Sequence, residues 1–594
     1  MNNKSISGKT WIYKKFDHNY VSFLKENFSI DEIVAQLLSI RNINKDNVKS
    51  FLKPSIKDYI PNPENLKDMT KAVSRLILAI TNNEKIGIFG DYDVDGASAT
   101  ALIGNYLKQL DQVFEIYIPD RTSEGYGPTA ESFKKLIDKN VKLILTVDCG
   151  TMSFEAINYA NKRKIDVIVL DHHQSKIELP KAHSIINPNQ LGDNSALDYL
   201  CAAGVCFMTL VSLNSYLRKS KWFVKNDIKE PNLLNFLDIV SLGTICDVVP
   251  LVGLNRAIVK QGLIILNQKK NLGLKTLIDI CKIEKKASTY HLGYVLGPRI
   301  NAGGRVGKCS HGANLLLNKD PKESFKIASE LEGFNKDRKK IEGELLNTVL
   351  NIVDKNINDP VLILSGKNWH EGIIGIIASR LKDKFNKPTI IISLNDKIGK
   401  ASARSISGFD IGSIILAAVQ DNILLKGGGH KMAGGFSIEE SKIEIFKNFI
   451  IKRFEKKMNN LSNKNNLYLD AIISTSALNL EFFKKVDSLS PFGSGNPEPK
   501  FLLENLKVVK SFIVGEKHIK SILTSNDGLS IKTISFNSID SDLGQFLLTN
   551  KTNLFNIAGK LSLNEWKGEK NVEFIIDDIS VNKSEKNEVP SSIG

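Results

Sequence analysis

The stretch Lys85 to Thr100, KIGIFGDYDVDGASAT, constrains the fold of this chain more than any other. Its apolar run, residues 86–89, predicts a short buried strand. Three acids follow at alternate positions, Asp91, Asp93 and Asp95, and then Gly96 and a run of small residues open a helix. Carboxylates packed this closely repel one another, so a fold that gathers them calls for a cation. On this stretch alone a solvated acidic turn stays open. The rest of the chain decides between them.

Beyond it, strand and helix patterns alternate, the signature of a parallel sheet covered by helices on both faces. Strands are predicted at 86–89, 114–118, 143–147, 167–170 and 184–186. Asp148 follows the third, and Asp171, His172 and His173 follow the fourth. An apolar element at 239–245 leads to Asp247. Ligands of open α/β sheets bind beyond the carboxyl ends of the strands. Asp91, Asp93, Asp95, Asp148, His172, His173 and Asp247 are therefore expected to converge. Carboxylates with imidazoles favour Mn²⁺ or Mg²⁺ over structural zinc, which prefers thiolates. Several acids in one pocket can bridge two cations roughly 3.5–4 Å apart, an arrangement suited to in-line displacement at phosphorus. Cys149, beside Asp148, reads as a small buried hydrophobe.

The formal net charge of +15 makes a polyanion the expected partner, nucleic acid ahead of a membrane surface. The first residues, MNNKSISGKTWIYKK, lack the apolar core of a signal peptide. No apolar run approaches the ~18 residues needed to span a bilayer. The 6 cysteines are dispersed, which predicts reduced thiols and a cytoplasmic protein. Neither a phosphate-binding loop, G-x-x-x-x-G-K-[ST], nor H-E-x-x-H occurs, so nucleotide hydrolysis and zinc-protease chemistry lose their support.

Residues 1–70 read as an N-terminal extension of short helices, with an amphipathic turn at 31–38. The charged stretch 320–355 has helical periodicity. A second α/β unit opens at 361–364, with a helix at 371–385 and a strand at 389–393. The glycine-rich segment 427–436 reads as a loop. An Asn-rich spacer, 459–466, precedes strand-like runs at 507–514, 518–524, 531–536, 555–561 and 572–576, the pattern of a small β-barrel. The tail from 582 reads as disordered.

GDYDVDG at 90–96, VDCG at 147–150, DHH at 171–173 and Asp247 in GTICDVVPL resemble the DHH phosphoesterase superfamily. EGYGP at 124–128, GPRINAGGRVG at 297–307, WHEGIIGIIASRL at 369–381, SARS at 402–405, GGGHKMAGGF at 427–436 and PFGSGNPEP at 491–499 are similar to motifs of its single-strand-specific 5′→3′ exonucleases. The likeness spans about 50–580. It implies a parallel-sheet DHH domain (71–318) joined by a long helix (319–357) to a smaller α/β DHH-associated domain (358–458). An OB-type nucleic-acid-binding barrel (467–581) and a disordered tail (582–594) complete the expectation.

The resemblance also implies two-metal hydrolysis with Mn²⁺ or Mg²⁺, releasing 5′-mononucleotides from single-stranded DNA in repair and recombination. Carried over, the metal ligands are Asp91, Asp93, Asp95, Asp148, His172 and Asp247, and His173 contacts the scissile phosphate. Ser402, Arg404 and Ser405 match a pocket for the 5′-terminal phosphate, which a guanidinium fork and hydroxyls suit. Arg299 and Arg305 are expected on backbone phosphates, with Arg305 as a brace between domains the alternative. His430 reaches phosphates or shapes a turn. Tyr126, with Arg121 upstream, stacks on a base or packs in the core. Of the barrel aromatics Phe512, His518, Phe536 and Trp566, none is singled out. Expected partners are single-stranded DNA, a single-stranded-DNA-binding protein and a RecQ-type helicase, with a monomer and no membrane. A phosphodiesterase of short RNA or dinucleotides is the competing enzyme, and a catalytically dead binding scaffold the competing non-enzyme. Every acid and histidine of the motifs is present, which disfavours the scaffold.

Overall fold

Five parallel strands, Phe114–Tyr117, Ile86–Gly90, Leu143–Val147, Asp166–Leu170 and Ser184–Ile186 in that spatial order, form the sheet that carries the acids. The three central strands are apolar almost throughout and buried on both faces, as a helix-covered parallel sheet requires. Their register aligns the carboxyl ends. Gly90 pairs with Val147, Val147 with Leu170, and Leu170 with Ile186. The next residue of each strand is therefore Asp91, Asp148, Asp171 and Asn187, four polar groups in one row. The computed structural model describes residues 5–458, 465–550, 553–566 and 568–581; the spacer at 459–464 and the tail at 582–594 lie outside them.

The chain divides into two units, one of Ile60–Val249 with Gln261–Ser462, the other of Met1–Tyr59, Pro250–Lys260 and Asn463–Gly594. In the first, a helix of 36 residues, Pro321–Asn356, is capped by Asp320, which accepts the Glu323 amide at 2.8 Å. It leads to a second sheet ordered Lys426–His430, Ala433–Glu439, Ile398–Arg404, Thr389–Asn395 and Leu362–Lys367. The segment 427–436 is not a loop. Its glycines form an antiparallel hairpin, with Gly427 opposite Phe436 and His430 opposite Ala433. Glycine's low strand propensity hides this from sequence. At Gly429 a Cβ would lie 2.4 Å from the Ala433 carbonyl oxygen, so close backbone packing explains the residue.

In the second unit, strands Phe501–Val514, His518–Thr524, Ser530–Ser535, Glu569–Val581 and Phe555–Trp566 pair in sequence, and the first closes on the last. This is the expected five-stranded barrel. The N-terminal segment carries a strand besides its short helices. Thr10–Tyr13 is a strand parallel to Asn466–Leu469. The apolar faces of His18–Phe28 and Glu32–Ile40, including Leu24, Leu37 and Leu38, share one core with Phe501, Phe555 and Phe574. Short amphipathic helices without a core of their own need such a partner. Arg256 is 1% exposed within the same unit. Its guanidinium donates to the carbonyls of Phe51 (3.0 Å), Pro491 (3.2 Å), Leu489 (2.8 Å) and Ser490 (3.0 Å) and lies over the Phe51 ring. Among the described residues no helix is long and apolar enough to cross a membrane.

Candidate active site

Each acid is set by a local device. Asp93 is the N-cap of helix Val94–Gln109, and its Oδ1 accepts the Gly96 amide at 3.0 Å. Residue 96 must be glycine because a Cβ would lie 2.6 Å from the Asp91 carbonyl oxygen. Asp95, on the first turn of that helix, accepts the amides of Ala202 (2.6 Å) and Ala203 (3.0 Å), the first N–H groups of helix Ala202–Lys219. Asp148 turns off its strand with φ 61°. Asp247 caps the carboxyl end of helix Leu237–Cys246. Asp171 accepts the amides of His172 and His173 on one oxygen, at 2.8 and 3.2 Å, and holds His173 Nδ1 on the same oxygen at 2.8 Å.

These devices bring seven side chains together. Asp148, His172 and His173 form one group of candidate ligands, Asp95, His172 and Asp247 a second, and Asp91, Asp93 and Asp148 a third; ligand atoms within each lie within 4.8 Å of one another. His172 Nε2 lies 3.3 Å from Asp148 Oδ1, 3.7 Å from Asp247 Oδ2 and 3.9 Å from Asp95 Oδ2. Burial and the neighbouring acids push the carboxyls of Asp91 and Asp148 well above the ordinary range. Asp247 is lifted to about 8 by burial and by Asp95 and Asp93. His172 is lowered, burial outweighing the pull of Asp95. Burial also opposes charge on His173, but the hydrogen bond and charge of Asp171 prevail and raise it to about 9. The paired histidines thus differ, one favouring the neutral ligand form and the other the imidazolium.

The donor set fits divalent cations. Asp91 Oδ1 and Asp148 Oδ1 are buried and make no hydrogen bond within the described residues, which is costly unless something else neutralises them. Carboxylates and one neutral imidazole, without a thiolate in any of the three groups, suit Mn²⁺ or Mg²⁺.

Three arginines form the opposite pole. Burial lowers Arg404, and Arg121 lowers it further. Arg305 falls to about 10 through burial and the charges of Arg121, Arg338 and Arg404. Arg121 also lies over the Tyr92 ring, 5.3 Å from its centroid. Arg305 donates to the Gly372 carbonyl at 2.8 Å, a bracing contact between the first α/β part and the helix Glu371–Phe385 of the second. Arg404 donates to Ser402 Oγ at 3.2 Å and to the Ala403 carbonyl at 2.8 Å.

Other expected residues are placed differently. The Ser405 hydroxyl is buried and donates to the Phe409 carbonyl, so it is turned from solvent. Arg299 gives its guanidinium to Glu332 at 2.5 Å and to the Val295 carbonyl at 2.7 Å. His430 is exposed at the end of its hairpin strand. Tyr126 is not core packing. The residue is 55% exposed, while its hydroxyl reaches inward to the Asp148 carbonyl at 3.1 Å and lies 3.3 Å from His173 Nδ1. Gly125 and Gly127, at φ 84° and 79°, shape the turn that presents it.

Sequence reasoning missed a supporting layer. Asn187 Nδ2 donates to the His173 carbonyl (2.8 Å) and to Thr151 Oγ1 (2.9 Å). Asn189 Nδ2 donates to the His172 carbonyl at 2.6 Å. The Thr151 amide donates to Asp171 Oδ2 at 3.1 Å. The signal was the N-P-N triplet directly after the last strand of the sheet. Gly375 was missed too. A Cβ there would lie 2.9 Å from Ser402 Oγ and 3.2 Å from an Arg404 terminal nitrogen, so its absence keeps space beside that guanidinium.

A parallel sheet that delivers acids and a paired histidine from its strand ends, joined to a second α/β unit carrying arginine, defines a DHH-type phosphoesterase. Residues 85–244 match the DHH family, N-terminal domain, and residues 358–456 match the DHHA1 domain. Residues 469–578 match the RecJ OB domain. The chain belongs to the RecJ family of single-stranded-DNA-specific exonucleases. It is 33% identical over 540 residues to the single-stranded-DNA-specific exonuclease RecJ of Escherichia coli (strain K12), covering 89% of this chain and 92% of that one. Identity to RecJ of Bacillus subtilis (strain 168) is 30% over 584 residues, 96% of this chain and 71% of that one. The crystal structure of RecJ in complex with Mn²⁺ from Thermus thermophilus superposes with a TM-score of 0.80 at 25% identity, covering 97% of this chain and 80% of that one.

Proposed function

We propose that this chain is a divalent-metal-dependent exonuclease that digests single-stranded DNA from its 5′ end and releases 5′-mononucleotides in DNA repair and recombination. The observation that carries the reading is the opposition of two charge clusters in one unit. Three interlocking acid groups meet around Asp148 and His172. Burial and the charges of Arg121, Arg338 and Arg404 lower Arg305, burial and Arg121 lower Arg404, and none of Arg121, Arg305 and Arg404 has a carboxylate in ion-pair reach among the described residues. A polyanion cut at the first cluster and held by its end at the second satisfies both.

In this reading Asp91, Asp93, Asp95, Asp148, His172 and Asp247 hold two ions of Mn²⁺ or Mg²⁺, which when bound supply Lewis-acid polarisation of the phosphodiester. His173, kept protonated by Asp171, donates from Nε2 to a phosphate oxygen and stabilises the charge that develops there. Tyr126 anchors its hydroxyl in the site and offers its exposed ring to a base. Arg404 and Ser402 grip the terminal phosphate, and Arg121 and Arg305 contact phosphates on the way. A pocket that takes a terminal phosphate dianion selects an end and gives the digestion its direction. Catalysis belongs to residues 71–318 and end recognition to 358–458, joined through 319–357, while the barrel at 467–581 adds single-strand binding. A monomer in the bacterial cytoplasm, working with a single-stranded-DNA-binding protein and a RecQ-type helicase, completes the proposal.

The test is a digestion course on one strand labelled separately at each end, with and without Mn²⁺. The 5′ label should appear as mononucleotide at once and the 3′ label as progressively shorter strands. Full activity in Asp148→Ala would refute the two-ion site.

A further inference from the structure

Outside the site described above, two tyrosines stand exposed together. Tyr290 is 61% and Tyr294 74% exposed, and their rings stack with centroids 5.4 Å apart and planes 24° from parallel. They lie at the start and on the outer side of a π-helical turn, His291–Leu296, whose inner residues Leu292 and Leu296 are fully buried. Such turns are rare and occur frequently at functional sites. This turn is pinned at its start, where His291 Nδ1 accepts the Ser288 amide at 3.0 Å.

Its inner face packs on the helix Leu237–Cys246, the element that ends in Asp247. Cys246 Sγ lies 3.4 Å from the Leu292 carbonyl oxygen, and a Cβ at Gly297 would come within 2.5 Å of that sulfur. The tyrosine pair is thus mounted on the backbone that carries one wall of the acid cluster. Lys285, whose charge adds to burial in lowering the basicity of His291, and Lys286 precede the pair in the chain. Rigid, stacked, solvent-facing rings beside cations are what bases of a single strand stack on, because every base presents a π-face. A phosphate backbone alone would need only the lysines.

We infer that Tyr290 and Tyr294 form a stacking platform for bases of single-stranded DNA that lie beyond the nucleotides held at the acid cluster. The inference rests on the exonuclease reading for its ligand. It assigns the part of the length dependence that comes from base stacking to these rings, beside what the barrel adds.

The test compares 5′-phosphorylated dT3, dT20 and a twenty-nucleotide strand that is abasic beyond its third position. Binding is read by fluorescence anisotropy in EDTA, so that no strand is cut. The unaltered protein should bind dT20 more tightly than dT3. Tyr290→Ala with Tyr294→Ala should lose roughly ten-fold per ring on dT20, and nothing on dT3, which also reports that the fold is intact. On the abasic strand the two proteins should bind alike, and Tyr290→Phe with Tyr294→Phe should restore dT20 affinity. Equal affinity of the alanine variant and the unaltered protein for dT20 would overturn the inference and assign the rings to a protein partner. A loss on dT20 and the abasic strand alike would also overturn it, since bases would not be what the rings touch. Absence of Mn²⁺-dependent hydrolysis of dT20 by the unaltered protein is a separate outcome that strikes the exonuclease reading and leaves the binding comparison intact.

Discussion

Gly243→Ala adds one methyl group in the helix that ends at Asp247, and its effect can be worked from distances. The new Cβ would lie 2.6 Å from Asp95 Oδ1, 2.9 Å from Ala203 Cβ and 3.3 Å from Ser98 Cβ. Carbon contacts are comfortable at roughly 3.5 Å, so something must move by about 1 Å. Ala203 belongs to a fully buried helix turn and cannot yield readily. The Asp95 carboxylate must give way, yet it is gripped at 2.6 and 3.0 Å by two backbone amides. Breaking one such charge-assisted bond costs about 1.5–3 kcal/mol, and a catalytic group displaced by ~1 Å costs on the order of 100-fold in rate. Gly243→Ala should therefore cut Mn²⁺-dependent nucleotide release about 100-fold and raise the Mn²⁺ concentration needed for half-maximal rate. The control is Gly343→Ala on the long helix Pro321–Asn356, where a Cβ meets nothing within 4 Å among the described residues. That change should leave the rate untouched and stabilise the protein by up to about 1 kcal/mol. Activity of Gly243→Ala within three-fold of the unaltered protein would refute the view that the amide grip fixes Asp95.

Arg404→Lys replaces a fork by a point charge and should raise KM for a 5′-phosphorylated strand about ten-fold or more, with little change for a 5′-hydroxyl strand; equal effects on both ends would remove Arg404 from the terminal-phosphate pocket. The metal-free protein should lose stability as pH rises. Asp247, at about 8 in the folded state against an ordinary aspartate value of 3.8, keeps a proton that the unfolded chain has released, so its contribution is complete below about pH 4 and lost as pH climbs to about 8. Tm in EDTA should thus be lower at pH 8 than at pH 5, Mn²⁺ should reverse the difference at pH 8, and Asp93→Asn, which keeps an N-cap side chain, should flatten it by removing one repelling charge; a pH-independent Tm would contradict this. Arg256→Met strips four carbonyls of their donor and should destabilise its unit by about 3–5 kcal/mol in urea unfolding, and a loss below about 1 kcal/mol would show that water replaces the guanidinium.

The strands and the acids at their ends were legible because both signals are local. Four runs of strand length, each leading within two residues to a polar group, determine the row Asp91, Asp148, Asp171 and Asn187 once the register is known. The gathering of Arg121, Arg305 and Arg404 was not legible, since they lie on separate elements and no periodicity links them. Ser405 shows the limit of motif reading. It sits in the SARS motif, yet its hydroxyl serves the Phe409 carbonyl. The pairing of Thr10–Tyr13 with Asn466–Leu469 joins residues more than 450 positions apart, and neither strand carries a trace of the other. The hairpin of 427–436 was hidden by its glycines, whose reason is the approach of neighbouring backbone.

The three-segment make-up of the barrel unit has a consequence for how the protein is made. The unit draws on residues before 60, on the insert around Arg256 and on strands that end near 581, and its core on the first and last of these. A ribosome delivers these pieces in that order, separated by long stretches of chain. For most of that time Leu24, Leu37 and Leu38 have no Phe501 or Phe574 to meet, while the acid-bearing sheet, complete by residue 186, can already form. The nascent chain must therefore carry exposed apolar helices until its final strands emerge, and Arg256 waits for the carbonyls of Leu489, Ser490 and Pro491. A nonsense mutation anywhere in the barrel would leave both ends of the polypeptide unfolded, which makes late truncation products natural clients for chaperones and proteases.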